Sequence, residues 1–198
     1  MQTTSQAIKA YAEALPEGAT LSARELLHIG ERAAVDQALS RLVRRGELMR
    51  VKRGLFAQPV KTRFGSRAPS VEAVVEHIAK STGERVSQSG ASAANLLGIS
   101  TQNPSRQVYW TSGPSRQLKL GAQSVELKHV PSWQLRAPNS RAGHAFRALA
   151  YFGKSEAAHA LRRIKATLNE EEQRELLSLR ASAPTWMAKE LSALASLQ

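Results

Sequence analysis

The sequence predicts an α+β protein in two parts: an N-terminal helical head closed by a short β-hairpin, and a mixed α+β domain with a helical tail. Three observations carry this reading. Apolar residues recur at helical spacing as far as Arg45, then give way to short extended runs after Gly46. Residues 61–70, with Gly65, Pro69 and three basic side chains, read as an extended basic linker between residues 1–60 and 71–198. From Gly143 onward the helical period returns and recurs through four segments.

Thr4 or Ser5 is placed to cap a first helix in which Ile8, Tyr11, Ala12 and Leu15 share a face, and Pro16-Glu-Gly18 ends it. Ser22 and Glu25 have the spacing of a capping box, with Leu21 and Leu26 placed to staple it. A short second helix is therefore expected before Gly30. The third runs from about Glu31 to Arg45 and stops at Gly46, which suits the left-handed glycine that closes many helices. At about 100° per residue, Val35, Ala38, Leu39 and Leu42 fall on one face, and Ala33, Gln37, Ser40, Arg41 and Arg44 on the other. Glu47–Val51 and Leu55–Ala57 read as strands joined by the tight turn Lys52-Arg53-Gly54. Three helices followed by a basic-tipped hairpin is the plan of a winged helix-turn-helix. In that plan the third helix enters a major groove and the hairpin touches nearby phosphates or the minor groove.

Beyond the linker, Val71–Ser81 is helical through Val71, Val74, Val75 and Ile78. Short strands are expected at 85–87, 107–111, 118–120 and 125–130, with a small helix at 91–97. In the tail, Phe146, Leu149 and Phe152 mark one helix, and Ser155 caps a second carrying Ala158, Leu161, Ile164 and Leu168. Asn169 before Glu170-Glu-Glu172 starts a third, and Pro184 opens a fourth with Met187, Leu191 and Leu194.

The 198 residues include 28 Lys+Arg against 16 Asp+Glu, a formal net charge of +12, and no cysteine. Without cysteine there are no disulfides, thiol nucleophiles or cysteine-ligated metals. No apolar run approaches the ~18 residues that a bilayer span needs. Residues 1–8 lack a basic head leading into an apolar stretch, so a cytoplasmic protein without a membrane partner is expected. The positive charge points to nucleic acid, and it is local. Between Arg41 and Arg67 lie nine basic residues and one acid, Glu47. Asp36 is the sole aspartate, and no carboxylate occurs between Glu84 and Glu126. Metal-dependent phosphoryl chemistry needs several oxygen ligands close together, so no enzyme activity, cofactor or metal is expected.

The candidate DNA-contacting side chains are Arg32, Gln37, Ser40, Arg41, Arg44 and Arg45 on the third helix and Arg50, Lys52 and Arg53 on the hairpin. Lys61, Arg63 and Arg67 in the linker complete the set. Gln37 could pair with an adenine edge, and Arg41 or Arg44 with guanine. A solvated face would explain the basic helix by itself. The glycine stop and the Lys-Arg-Gly tip that follow favour contact with DNA. Glu126-Leu-Lys128 matches the last half of a restriction-type nuclease motif. The nearest upstream carboxylate is Glu84, so an alternating exposed strand accounts for it better. His28, His77, His129, His144 and His159 show no metal-ligand spacing. Thr111-Ser-Gly-Pro-Ser-Arg116 reads as a hairpin turn, and Trp110, Trp133 and Trp186 as packing residues.

The run Leu39-Ser-Arg-Leu-Val-Arg-Arg-Gly46-Glu-Leu-Met-Arg-Val-Lys-Arg-Gly54 resembles the winged-helix head of AbiEi-type antitoxins. These are regulators of type IV toxin–antitoxin pairs in abortive infection, a form of phage defence. Ser89-Gly-Ala-Ser-Ala-Ala-Asn-Leu-Leu-Gly98, Tyr109-Trp-Thr-Ser-Gly113 and Leu118-Lys-Leu-Gly121 extend the likeness over about residues 5–130. The resemblance implies a head that binds inverted repeats of double-stranded DNA in its own promoter and represses a toxin operon. It implies a second domain that supplies antitoxicity and helps place two heads, as a homodimer, on DNA. It also implies a nucleotidyltransferase-like toxin as partner. Two alternatives stay open: direct protein–protein neutralisation of the toxin, and a stand-alone regulator without one.

Overall fold

Capping chemistry fixes the start of the first helix, α1 (Thr4–Glu13). Its N-cap is Thr3, one residue before the expected cap. The Thr3 hydroxyl accepts from the Gln6 N–H at 3.3 Å while the Gln6 side chain accepts from the Thr3 N–H at 2.8 Å. In this computed structural model, which describes residues 3–101 and 107–195, the chain is mixed α+β and divides into two units. One comprises residues 1–84 with 117–125, the other 85–116 with 126–198.

In the first unit, α1 is followed by β1 (Thr20–Ser22), α2 (Arg32–Arg44), β2 (Met49–Lys52) and β3 (Leu55–Ala57). The three strands form an antiparallel sheet in the order β1-β3-β2, with Thr20 and Met49 both opposite Ala57. Ile8, Leu21, Leu26, Val35, Leu39, Leu42, Leu48 and Phe56 meet in one buried cluster between helices and sheet. The expected helix between Ser22 and Gly30 does not form. Residues 23–30 are turns, closed by Glu25 N–H to Ser22 O at 3.2 Å and Ile29 N–H to Leu26 O at 2.9 Å. Half of its capping box survives, because the Glu25 carboxylate accepts from the Ser22 N–H at 2.7 Å. Too few residues separate that cap from Gly30 to offset the cost of nucleating a helix.

The expected linker is also folded. β4 (Val60–Thr62) and β5 (Gly65–Arg67) make a second hairpin, with Lys61 opposite Ser66. Its base is tied to residues far back in the chain: Lys61 Nζ lies 3.3 Å from Glu13, and Arg67 lies 3.0 Å from Glu17. Glu17 also accepts from the Ser70 N–H at 3.1 Å. The Arg67 hydrogen bond first, and the Ser70 N–H second, hold the Glu17 carboxyl below its ordinary pKa. Helix α3 (Val71–Thr82), capped by Ser70, belongs to this unit and not to a domain beginning at residue 71. His77 accepts from the Thr20 N–H at 3.2 Å, and Gly18 packs directly on α3. A Cβ on Gly18, whose φ is +82°, would stand 2.5 Å from the Ala73 Cβ.

The second unit contains β6 (Val86–Gln88), α4 (Gly90–Leu96) and β7 (Gln107–Thr111), with β6 and β7 paired antiparallel. A hairpin of β8 (Arg116–Leu120) and β9 (Gln123–His129) follows, and its residues 117–125 group with the first unit. A 3-10 turn, Ser132–Leu135, precedes α5 (Arg141–Lys165). The two tail segments expected around Phe146 and after Ser155 are the two arms of α5, which breaks at Gly153 (φ 74°, ψ 179°). Asn169 caps α6 (Glu170–Ser178) in a capping box, and α7 (Thr185–Ala195) follows Pro184. Phe146, Leu149, Leu161, Ile164, Leu176, Met187 and Leu191 form the core here, with Trp133 edge-on to Phe146 at 5.9 Å. The Leu194 side chain lies outside the described residues. Arg147 is fully buried in this core and donates to the carbonyls of Arg136 (3.2 Å) and Pro138 (2.8 Å). Burial pulls its pKa down to about 10.

Two predictions follow from the first unit. Gly18→Ala should lower its stability by about 2–4 kcal/mol through crowding and left-handed strain. Gly54→Ala, which meets open space, should cost only the strain. Thermal unfolding of both variants checks the ordering. The Glu17 clamp contributes above the ordinary carboxylate pKa of 4.5 and is lost as pH falls through the lowered value. Unfolding midpoints measured across the acid range should therefore fall less steeply in Glu17→Gln than in the wild type.

Candidate nucleic-acid interface

The α2 helix owes its orientation to Val35, Ala38, Leu39 and Leu42, each at most 1% exposed. With 3.6 residues per turn, that stripe forces the opposite face outward. Ala33, Gln37, Ser40, Arg41 and Arg44 are all exposed there, as expected. Asp36, Gln37, Ser40, Arg41 and Arg44 line an open hollow of about 360 Å³. Gly46 ends the helix at φ +70°. Its N–H donates to Val43 O at 3.0 Å, and the Glu47 N–H to Leu42 O at 2.9 Å. This is the paired closure of a Schellman motif, and it turns the chain directly into β2. The β2–β3 turn is Arg53-Gly54, with Gly54 at φ +75° and Lys52 opposite Leu55.

The twelve candidate side chains separate by what they already hold. Arg41, Arg44, Arg45, Lys52 and Arg53 are exposed, and none has an ion pair or hydrogen bond from its side chain among the described residues. Arg50 is exposed and stacks over the Phe56 ring at 5.5 Å. Ser40 donates back to Asp36 O at 2.9 Å, which leaves its oxygen able to accept. Arg32 donates through Nε to Asp36 Oδ2 at 2.8 Å. The three expected linker contacts are differently placed. Lys61 and Arg67 are engaged by Glu13 and Glu17, and Arg63 stacks at 4.6 Å over Phe64, an aromatic 85% exposed at the hairpin tip. Asp36 is the residue that the sequence reading left out of the site. As the lone aspartate, four residues after Arg32, it carried the i,i+4 signal that would have found it.

The five unpartnered cations form one uninterrupted sequence of elements: last turns of α2, glycine stop, hairpin. Fixed cations without carboxylate partners make a field that attracts a polyanion. Several of the remaining candidates for chemistry hold partners elsewhere. Residues 111–116 are not the expected hairpin turn: they join β7 to β8, which are not paired with each other, and are held by His129 Nδ1, 3.0 Å from Gly113 O, and by Arg116, which donates to Pro114 O at 2.9 Å. His28 is tied to Glu25 O at 2.8 Å and lies edge-on to Tyr11. No helix among the described residues is long and apolar enough to cross a membrane.

An α+β chain with this arrangement belongs to the DUF6088 family, described as a family of unknown function, whose model matches residues 7–176. Its fold is similar to that in the crystal structure of the RV2827C protein from Mycobacterium tuberculosis. The TM-score is 0.51 at 18% identity, with 96% of this chain and 75% of that chain covered. At such identity the likeness concerns fold alone. No curated protein matches the chain.

The geometry predicts a sharp contrast between the two faces of α2. Leu39→Ala should destabilise the first unit by about 2–5 kcal/mol. Arg41→Ala and Arg44→Ala, both in the last turn of the helix, should each cost no more than about 1 kcal/mol. Thermal unfolding of the three variants checks it. Comparable losses in all three would mean that the basic face is not the outward one.

Proposed function

We propose that this protein is a sequence-specific DNA-binding regulator without catalytic activity, whose head acts as a winged helix-turn-helix in which the turns after Ser22 stand where the plan has its second helix. In this reading α2 is the recognition helix and the β2–β3 hairpin is the wing. One observation carries it: Arg41, Arg44, Arg45, Lys52 and Arg53 are exposed and unpartnered on the helix and hairpin that such a head presents to a duplex. Gln37 and the α2 arginines would meet base edges, and Lys52 and Arg53 phosphates. Arg50 and Arg63 would be secondary contacts, and Lys61 and Arg67 would be held back by their carboxylates.

The resemblance to AbiEi-type antitoxins supports a more specific version. There the regulator binds inverted repeats in its own promoter as a pair of heads in the cytoplasm and counteracts a nucleotidyltransferase-like toxin. The second unit, with its separate core, would carry the antitoxin role. A gel shift on the DNA upstream of the gene, repeated at two salt concentrations, tests the DNA-binding reading. Affinity should fall steeply with salt, and Lys52→Ala and Arg53→Ala should each reduce the slope of log K against log salt by about 1. Binding that ignores sequence and salt would count against it. Co-purification with a neighbouring nucleotidyltransferase-like gene product tests the antitoxin version.

A further inference from the structure

Arg32 and Asp36 stand one turn apart in the N-terminal half of α2, and the contact between them is specific. The guanidinium donates through Nε to Asp36 Oδ2 at 2.8 Å. Among the described residues its two terminal nitrogens, Nη1 and Nη2, hold nothing. Both residues remain open to solvent, with side chains 64% and 52% exposed. An exposed i,i+4 pair contributes little to stability, so fold stability is a weak reason for a carboxylate here. The location is also electrostatically adverse for a phosphate-binding surface. Asp36 is the sole aspartate of a chain with net charge +12, and it lines the hollow that Arg41 and Arg44 share.

We infer that Asp36 is a positioning residue for base readout and that Arg32 recognises a guanine in the major groove. This rests on the DNA-binding reading above and adds a specificity determinant to it. The chemistry follows from the shape of the guanidinium. Tethering Nε restricts rotation of a long side chain and fixes the plane of its fork. The free Nη1 and Nη2 then match the O6 and N7 acceptors of guanine, the commonest specific arginine contact. In helix-turn-helix docking, the N-terminal residues of the recognition helix reach the base edges, and Arg32 is the first residue of α2. The Asp36 charge weakens binding to every sequence alike, whereas the Arg32–guanine contact that it positions adds affinity only where a guanine is present, and that difference is the discrimination.

The test uses the full-length protein and a pool of random-sequence duplexes. Selection with the wild type should yield a consensus containing guanine. Replacing that guanine by 7-deazaguanine, which lacks the N7 acceptor, should weaken binding about tenfold. Asp36→Asn should have two opposite effects. Affinity for non-specific duplex should rise, because a negative charge is gone, while the sensitivity to 7-deazaguanine should collapse. Arg32→Lys, which keeps the charge but not the fork, should lose that sensitivity without gaining non-specific affinity. If Asp36 acts through its charge alone, Asp36→Asn should raise affinity for all sequences and leave the 7-deazaguanine effect intact, which would overturn the inference alone. A wild-type protein that selects no sequence and binds no duplex would overturn both this and the DNA-binding reading.

Discussion

Four side chains on α2 set the terms for the rest of the head. Val35, Ala38, Leu39 and Leu42 are buried against Ile8, Leu21, Leu26 and Phe56, and a helix can bury only one stripe. Once those four are inside, Gln37, Ser40, Arg41 and Arg44 have nowhere to go but outward. The Gly46 closure then determines where the hairpin leaves the helix, so Lys52 and Arg53 follow the same outward face along the chain. The proposed interface is in this sense the complement of a hydrophobic constraint. Arg41 and Arg44 need little from their neighbours to stay where they are.

The cations of the chain divide by partner. Lys61 and Arg67 are paired with Glu13 and Glu17 and close the second hairpin onto the first unit. Arg141 bonds to Glu172 and to the Thr167 carbonyl at the ends of the tail helices. Arg147 is buried without a carboxylate; Nη1 and Nη2 donate to two backbone carbonyls ahead of α5, and its buried Nε has no partner among the described residues. A buried arginine in such a position is costly to desolvate and is retained for the carbonyls it satisfies. Of the cations without a partner among the described residues, Arg41, Arg44, Arg45, Lys52 and Arg53 lie together on α2 and the β2–β3 turn, while others, Arg24, Lys128, Arg162 and Arg163 among them, are exposed elsewhere.

Much of this was legible in the sequence because its causes are local. The period of α2, the Gly46 stop, the Arg53-Gly54 turn, the Asn169 cap and strand 107–111 all rest on residues within a few positions of one another. Two of the misreadings have the opposite property. Residues 61–70 look like a linker because their composition is polar and basic. Their partners, Glu13 and Glu17, lie about 50 positions earlier in the chain, and no local pattern announces them. Helix α3 reads as part of the second domain for the same reason, since Gly18 and Thr20 hold it from a distance. The expected Ser22–Gly30 helix failed for a different reason: the cap was present, but the segment was too short to repay nucleation. Asp36 was visible as a lone acid, yet its contact with Arg32 becomes meaningful only once the solvent face of α2 is known.

The central claim is that the outward face of α2 and the β2–β3 turn together receive a duplex. Amide chemical-shift mapping of the full-length protein, titrated at low salt with a short non-specific DNA duplex, addresses this directly. The account predicts that the largest shifts fall on the amides of residues 32–46 and 52–54, while those of the second unit's core, around Phe146 and Leu161, stay fixed. Shifts concentrated in the second unit, with α2 and the β2–β3 turn unchanged, would contradict it.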